Sequence, residues 1–119
     1  MGVLRVKPGV TFSVIAPGGF RILSALDQVA ARLGIDLVLT SACDGQHSGP
    51  DDPHHKGEAY DVRCHDFSAD ETHVILRTAT GILGEAFFGF LEDEGTPNVH
   101  FHWQVRKGTV YPPAAPAIS

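Results

Sequence analysis

At 119 residues the chain is sized for one domain, and a domain near that length buries most of its apolar surface without disulfide staples. Hydrophobic residues make up 43%, charged residues 19%, and the formal net charge is -5, which argues against a disordered chain and against nucleic acid as a partner. No apolar run approaches the roughly 20 residues needed to span a bilayer, and Met1 to Val10 lacks the apolar centre of a secretion signal. The expectation is a soluble monomer made in the cytosol, with no membrane partner and with signal-independent export left open.

In chain order, Val10 to Ile15 alternates weakly and predicts a short strand, after which Pro17-Gly18-Gly19 predicts a turn. Ile22, Leu26, Val29, Ala30 and Leu33 then form one apolar stripe at helical spacing, with Gly34 where a helix commonly ends in a left-handed residue. Ile35 to Ala42 is apolar and branched, as in a buried strand. Cys43 to Lys56 is polar and contains prolines and glycines, so it should be a long surface loop.

Glu58 to Cys64 predicts a strand with Tyr60 and Val62 on one face and Ala59, Asp61 and Arg63 on the other. Ser68 and Glu71 make a capping box, and Ile75, Ala79, Ile82 and Leu83 continue at helical spacing, with an end expected near Gly81. Phe87 to Leu91 is an aromatic strand, Glu92 to Asn98 an acidic turn, and Val99 to Arg106 the last strand. Cys43 and Cys64 each follow a predicted strand. If those strands pair antiparallel, the two residues lie on opposite edges of the sheet, too far apart for a disulfide, so free thiols are expected. The fold class is α+β: a small, mostly antiparallel sheet with two helices packed on it and a metal site in a cleft on the sheet.

The last strand carries the first chemical signal. Val99, Phe101, Trp103 and Val105 alternate onto one face, so His100, His102 and Gln104 line the other, the two imidazoles about 7 Å apart. Such a face would ordinarily present Thr, Lys or Glu to water, whereas two neutral nitrogen donors suit a metal or acid-base site. The second signal is His54-His55-Lys56-Gly57-Glu58-Ala59-Tyr60-Asp61. A histidine at a loop end, a glycine that lets the backbone turn and an aspartate on the next strand could aim an imidazole and a carboxylate at one point. With His102 as third ligand, one position stays open for water, whose pKa zinc lowers to about 7.

The spacing His-x-x-Gly-x-Ala-x-Asp, followed by a later strand with His-x-His, resembles the zinc signature shared by D-Ala-D-Ala peptidases, phage L-alanyl-D-glutamate endopeptidases and the hedgehog signalling domain. The similar region runs from about Leu37 to Val105, with its elements in the order that family implies. The resemblance implies zinc ligands at His54, Asp61 and His102, and it selects His54 over His55 because His54 stands three residues before Gly57. It also implies a general base at the end of the penultimate strand, where Glu92 stands with Glu94 as the alternative. His100 then flanks the metal as a further catalytic residue.

Asp52 occupies the place where the family commonly has a substrate-holding serine, and His47 lies in the same loop; both are expected to face substrate. Thr40 to His47 lacks the arginine with which carboxypeptidase members pair the substrate C-terminus, so an endopeptidase is the expected type. The implied activity is zinc-assisted hydrolysis of peptidoglycan stem or cross-link peptides, acting on the bacterial cell wall in a bacterial or phage setting. The hedgehog comparison keeps a second class in view, a non-catalytic zinc-containing binding module or phage structural component of the same fold. His65 and His73 read as surface residues, and Asp44, Asp51 and Asp52 lack a calcium-loop pattern.

Overall fold

The computed structural model describes residues 2–45, 49 and 51–113. It contains β1 (Leu4–Val6), α1 (Pro17–Leu33), β2 (Leu37–Ser41), β3 (Ala59–Arg63), α2 (Ala69–Leu83), β4 (Phe87–Glu92) and β5 (His100–Val105). The strands form one sheet in the order β1-β2-β3-β5-β4. β1 runs parallel to β2 and the remaining neighbours are antiparallel, so the α+β class and the mostly antiparallel sheet expected from the sequence are present.

Helix α1 starts where a turn was expected. Pro17 occupies the first turn, where its missing N–H costs nothing and its fixed φ suits the helix. The two glycines serve close packing instead of a turn: a Cβ at Gly19 would lie 2.0 Å from the Gly57 carbonyl oxygen and 2.6 Å from the Tyr60 hydroxyl. The helix ends as its pattern predicts, with Gly34 at φ 66° and its N–H on the Ala30 carbonyl. In α2 the capping box is reciprocal: the Ser68 hydroxyl accepts from the Glu71 N–H at 3.2 Å, and the Glu71 carboxylate accepts from the Ser68 N–H at 2.8 Å. The helix continues past Gly81 to Leu83. Gly81 costs about 1 kcal/mol relative to alanine, and burial of Leu83 and packing of Ile82 on the core offset it.

The Val10 to Ile15 segment is not a strand. It is tied by isolated bonds to the segment that follows β2, the Thr11 carbonyl accepting from the Cys43 N–H at 2.8 Å. The parallel edge strand is instead the three-residue Leu4–Val6, too short and too exposed to show alternation.

Register determines which residues share a face. Tyr60 pairs with Trp103, and Val62 with Phe101; across β5, Trp103 pairs with Gly89 and Phe101 with Leu91. This face packs on Ile22, Leu26 and Val29 of α1 and on Ile75 and Ala79 of α2. The opposite face carries the rows Asp61–His102–Phe90, Arg63–His100–Glu92 and Ala59–Gln104–Phe88. Cys43 and Cys64 are free thiols, engaged separately with the carbonyls of Val14 and Val99 at 3.4 Å. No helix among the described residues is long and apolar enough to cross a membrane.

Gly89 lets the fully buried Trp103 ring lie across β4. A Cβ there would sit 2.1 Å from Trp103 Nε1 and 2.2 Å from Cδ1, atoms of a rigid ring. Gly89→Ala should therefore lower stability by about 1–3 kcal/mol, read as a drop in urea midpoint at unchanged slope. An unchanged midpoint would refute this packing account.

Candidate metal centre

Antiparallel pairing of β3 with β5 sets Asp61 directly opposite His102 on the face away from the helices. The His102 Nδ1 atom lies 2.8 Å from Asp61 Oδ1. The third member comes from the long loop. Asp52 shapes its end as a tight turn: its side chain accepts from the His54 N–H at 2.9 Å, and its carbonyl accepts from the N–H groups of His55 and Lys56. Gly57 follows at φ 70°, and a Cβ there would lie 2.3 Å from the Val14 carbonyl oxygen, so both conformation and space require glycine. The turn places His54 Nε2 at 3.3 Å from Asp61 Oδ1. His54, Asp61 and His102 are all buried, at 3%, 8% and 6% exposure.

Hydrogen bonds on the far side of each ring decide what points inward. His54 Nδ1 lies 3.0 Å from the Ala42 carbonyl oxygen, which can only accept, so Nδ1 carries the hydrogen and a neutral ring turns its Nε2 lone pair towards Asp61. The Gln104 amide donates to the Val105 carbonyl at 3.2 Å and so presents its oxygen to His102 Nε2 at 2.8 Å. His102 Nε2 therefore donates, and a neutral ring turns the Nδ1 lone pair to Asp61. Two nitrogen lone pairs and a carboxylate oxygen thus converge, a repulsive arrangement unless a cation sits among them.

Either a proton or a metal ion can supply that charge. Tetrahedral bonds of about 2.0–2.1 Å place donors roughly 3.3 Å apart. The His54–Asp61 separation of 3.3 Å already fits, while the 2.8 Å between His102 and Asp61 would open slightly. The three ligand atoms all lie within 4.8 Å of one another, close enough to bind one metal ion. His55 is half-buried and stands outside this group.

Glu92 and His100 extend the site. They pair across β4 and β5, with Glu92 Oε1 2.8 Å from His100 Nε2 and 3.8 Å from His102 Nδ1. Glu94 lines a different hollow with Cys64, His65 and Thr72, so of the two acidic candidates Glu92 is the one beside the histidines. Two open hollows flank the cluster. One, of about 320 Å³, is lined by Asp52, Pro53, His54, Phe90, Glu92, His102 and Gln104. The other, of about 360 Å³, includes Lys7, Thr40, Asp61, Arg63 and His100. Asp52 thus borders the cleft while also holding the His54 turn. His47 lies outside the described residues. His65 and His73 are exposed, as expected.

Strand alternation placed Gln104 on this face without revealing its task of orienting His102. It could not reveal the Ala42 carbonyl as the anchor of His54, since backbone groups carry no sequence signal. Alternation puts Arg63 on the Asp61 face, but nothing in the sequence brings Lys7 to the same hollow, which follows from the sheet order that sets β1 beside β2.

Protonation of the metal-free site follows from these contacts. Burial pushes the Asp61 carboxyl up, but the bonds to His102 and His54 outweigh it and hold the group well below the usual carboxylate range. Burial works against charge on His102 and on His100. For His102, Asp61 and Gln104 outweigh it; for His100, the Asn98 carbonyl, Asp61 and Glu92 do so, and both imidazoles end above their ordinary value. The histidine contribution to stability is then complete below about pH 6.5 and lost as pH rises through the raised folded values. The Asp61 contribution is present above about pH 4 and lost only as pH falls through its depressed folded value.

The metal-free chain should accordingly melt progressively lower as pH rises above about 6.5, and saturating divalent metal should remove that decline by replacing the protons. Calorimetric melting from pH 6 to 9 with and without metal checks this, and parallel curves in the two states would count against it. In equilibrium dialysis, His54→Ala or Asp61→Asn should abolish tight metal uptake, whereas His55→Ala should retain it. No family model, no curated protein and no solved structure matches this chain.

Proposed function

We propose that the chain is a zinc-dependent peptidase that hydrolyses peptide bonds of peptidoglycan stem or cross-link peptides at the cell wall, as an endopeptidase. The observation that carries this reading is the convergence of two anchored imidazole lone pairs and one carboxylate on the open face of the sheet, with Glu92 at its rim. Two nitrogens and one oxygen from three protein ligands suit zinc in a catalytic site with one position left free. The likeness of His54 to Asp61 and of His100 to His102 to the zinc peptidase signature points to the same chemistry.

When bound, the ion supplies Lewis acidity, polarising a carbonyl and making a water molecule more acidic. The residues of the chain do the rest. Glu92, a half-exposed carboxylate, accepts the proton of the attacking water at Oε1. His100, drawn towards its cationic form, holds a proton at Nε2 between Glu92 and Asp61, placed to stabilise negative charge on the carbonyl oxygen or to serve the departing amine. Phe90 packs on the His102 ring at 5.2 Å between centroids and limits water on that side.

The endopeptidase assignment draws on space as well as sequence. Hollows lie on both sides of the cluster, so a chain can continue past the scissile bond in each direction. Asp52 lines one and Lys7 with Arg63 the other, which gives a bound peptide opposite charges to meet at its two ends.

Digestion of purified peptidoglycan, followed by chromatography of the released muropeptides, tests the proposal. Cleavage should occur, stop with a chelator and return with zinc. Glu92→Ala should lower turnover about 10²- to 10⁴-fold with the tightly bound zinc retained, and Glu94→Ala should leave turnover near wild type. Zinc bound without cleavage of any muropeptide would sink the enzyme reading in favour of a zinc-containing binding module.

A further inference from the structure

Asp61 meets His54 Nε2 and His102 Nδ1 with its Oδ1 atom, at 3.3 Å and 2.8 Å. Its other oxygen, Oδ2, turns the opposite way and lies 3.5 Å from His100 Nε2. That nitrogen is also 2.8 Å from Glu92 Oε1. On the far side of the ring, His100 Nδ1 lies 2.6 Å from the Asn98 carbonyl oxygen, so it carries the hydrogen, and a neutral ring presents its Nε2 lone pair to two carboxylates. The demand for a cation found at His54 and His102 is therefore repeated one row along the sheet. Ligand atoms of Asp61, Glu92 and His100 all lie within 4.8 Å of one another.

We propose that these three residues form a second divalent-cation site, joined to the first through Asp61 as a bridging carboxylate. Bridged pairs of this kind hold their ions about 3.5–4 Å apart, a separation that the two oxygens of one carboxylate can span. Two arguments make the second ion the weaker. His100 and Glu92 side chains are 20% and 42% exposed, against 4% and 7% for His54 and His102, so the outer site is wetter and its charges better screened. The outer ion also shares Asp61 with an ion already present, and Glu92 is the one carboxylate it has to itself. One nitrogen and two oxygens admit Zn²⁺, Co²⁺ or Mn²⁺.

The site itself is independent of the peptidase proposal, but its effect on turnover rests on that reading. Glu92 cannot both ligate the outer ion and accept a proton from water, so excess metal would remove the general base. Activity would then rise with the first equivalent of zinc and fall with the second.

The test is titration of the metal-free full chain with Zn²⁺ by calorimetry, and with Co²⁺ by optical and electron paramagnetic resonance spectroscopy. Two ions per chain are expected, the second bound roughly 5- to 150-fold more weakly, with the Co²⁺ spins coupled at two equivalents. Glu92→Gln and His100→Ala should each bind one ion, and that retained tight equivalent reports that the variant is folded. Saturation of the unaltered chain at one ion, or survival of the second equivalent in both variants, would overturn the proposal. Two ions bound at saturation, with no peptidoglycan cleavage even at a single equivalent of zinc, would remove the peptidase reading and leave this site standing. Cleavage by a chain that saturates at one ion would do the reverse.

Discussion

Everything at the site depends on the Asp61 carboxylate being flanked by imidazoles that cannot all donate to it while neutral. Three rings approach its two oxygens, and each ring has its outer nitrogen committed elsewhere, to Ala42, Gln104 or Asn98. Buried charge of this kind is costly unless neutralised. A structure that brings these groups together therefore has to recover the cost through a cation, either protons at low pH or a metal ion. The same requirement explains why Asp61 is driven so firmly to its anionic form while His102 and His100 are drawn towards their cationic forms.

The scaffold answers that requirement with two elements of different stiffness. Asp61, His100, His102 and Glu92 stand on three adjacent strands whose register is held by a ladder and by the apolar face beneath, where Tyr60, Val62, Phe101 and Trp103 are fully buried. A slip of one residue would carry the imidazoles into the core and the aromatic rings into water, so the core itself enforces the site geometry. His54 arrives on a loop and needs local devices: the Asp52 turn, the left-handed Gly57 and the carbonyl of Ala42. The close approach of Gly19 to Gly57 ties that loop to the first turn of α1, so the helix contributes to the site without lending it a side chain.

The open side matters as much as the ligands. Glu92 sits at the rim, half-exposed, and reaches His100 Nε2 at 2.8 Å. The hollows on either side carry opposite charge, acidic near Asp52 and basic near Lys7 and Arg63.

Local rules made most of the fold legible. Helical periodicity located both helices, alternation separated the two faces of β3 and β5, and the Ser68–Glu71 box and Gly34 marked helix ends, because each rests on contacts between residues near in sequence. The same rules misread Pro17-Gly18-Gly19, whose glycines answer to Gly57 and Tyr60 far along the chain, and they overlooked Leu4–Val6, which is a strand only because β2 lies beside it. For the site, the sequence by itself determined which residue types face away from the core and that His54 precedes a glycine turn. Tertiary structure alone decided that Glu92 and not Glu94 stands beside His100, and which nitrogen of each ring points inward. Those outcomes depend on strand order and on acceptors such as the Ala42 carbonyl, and a one-dimensional pattern holds no record of the partner that a lone pair will meet.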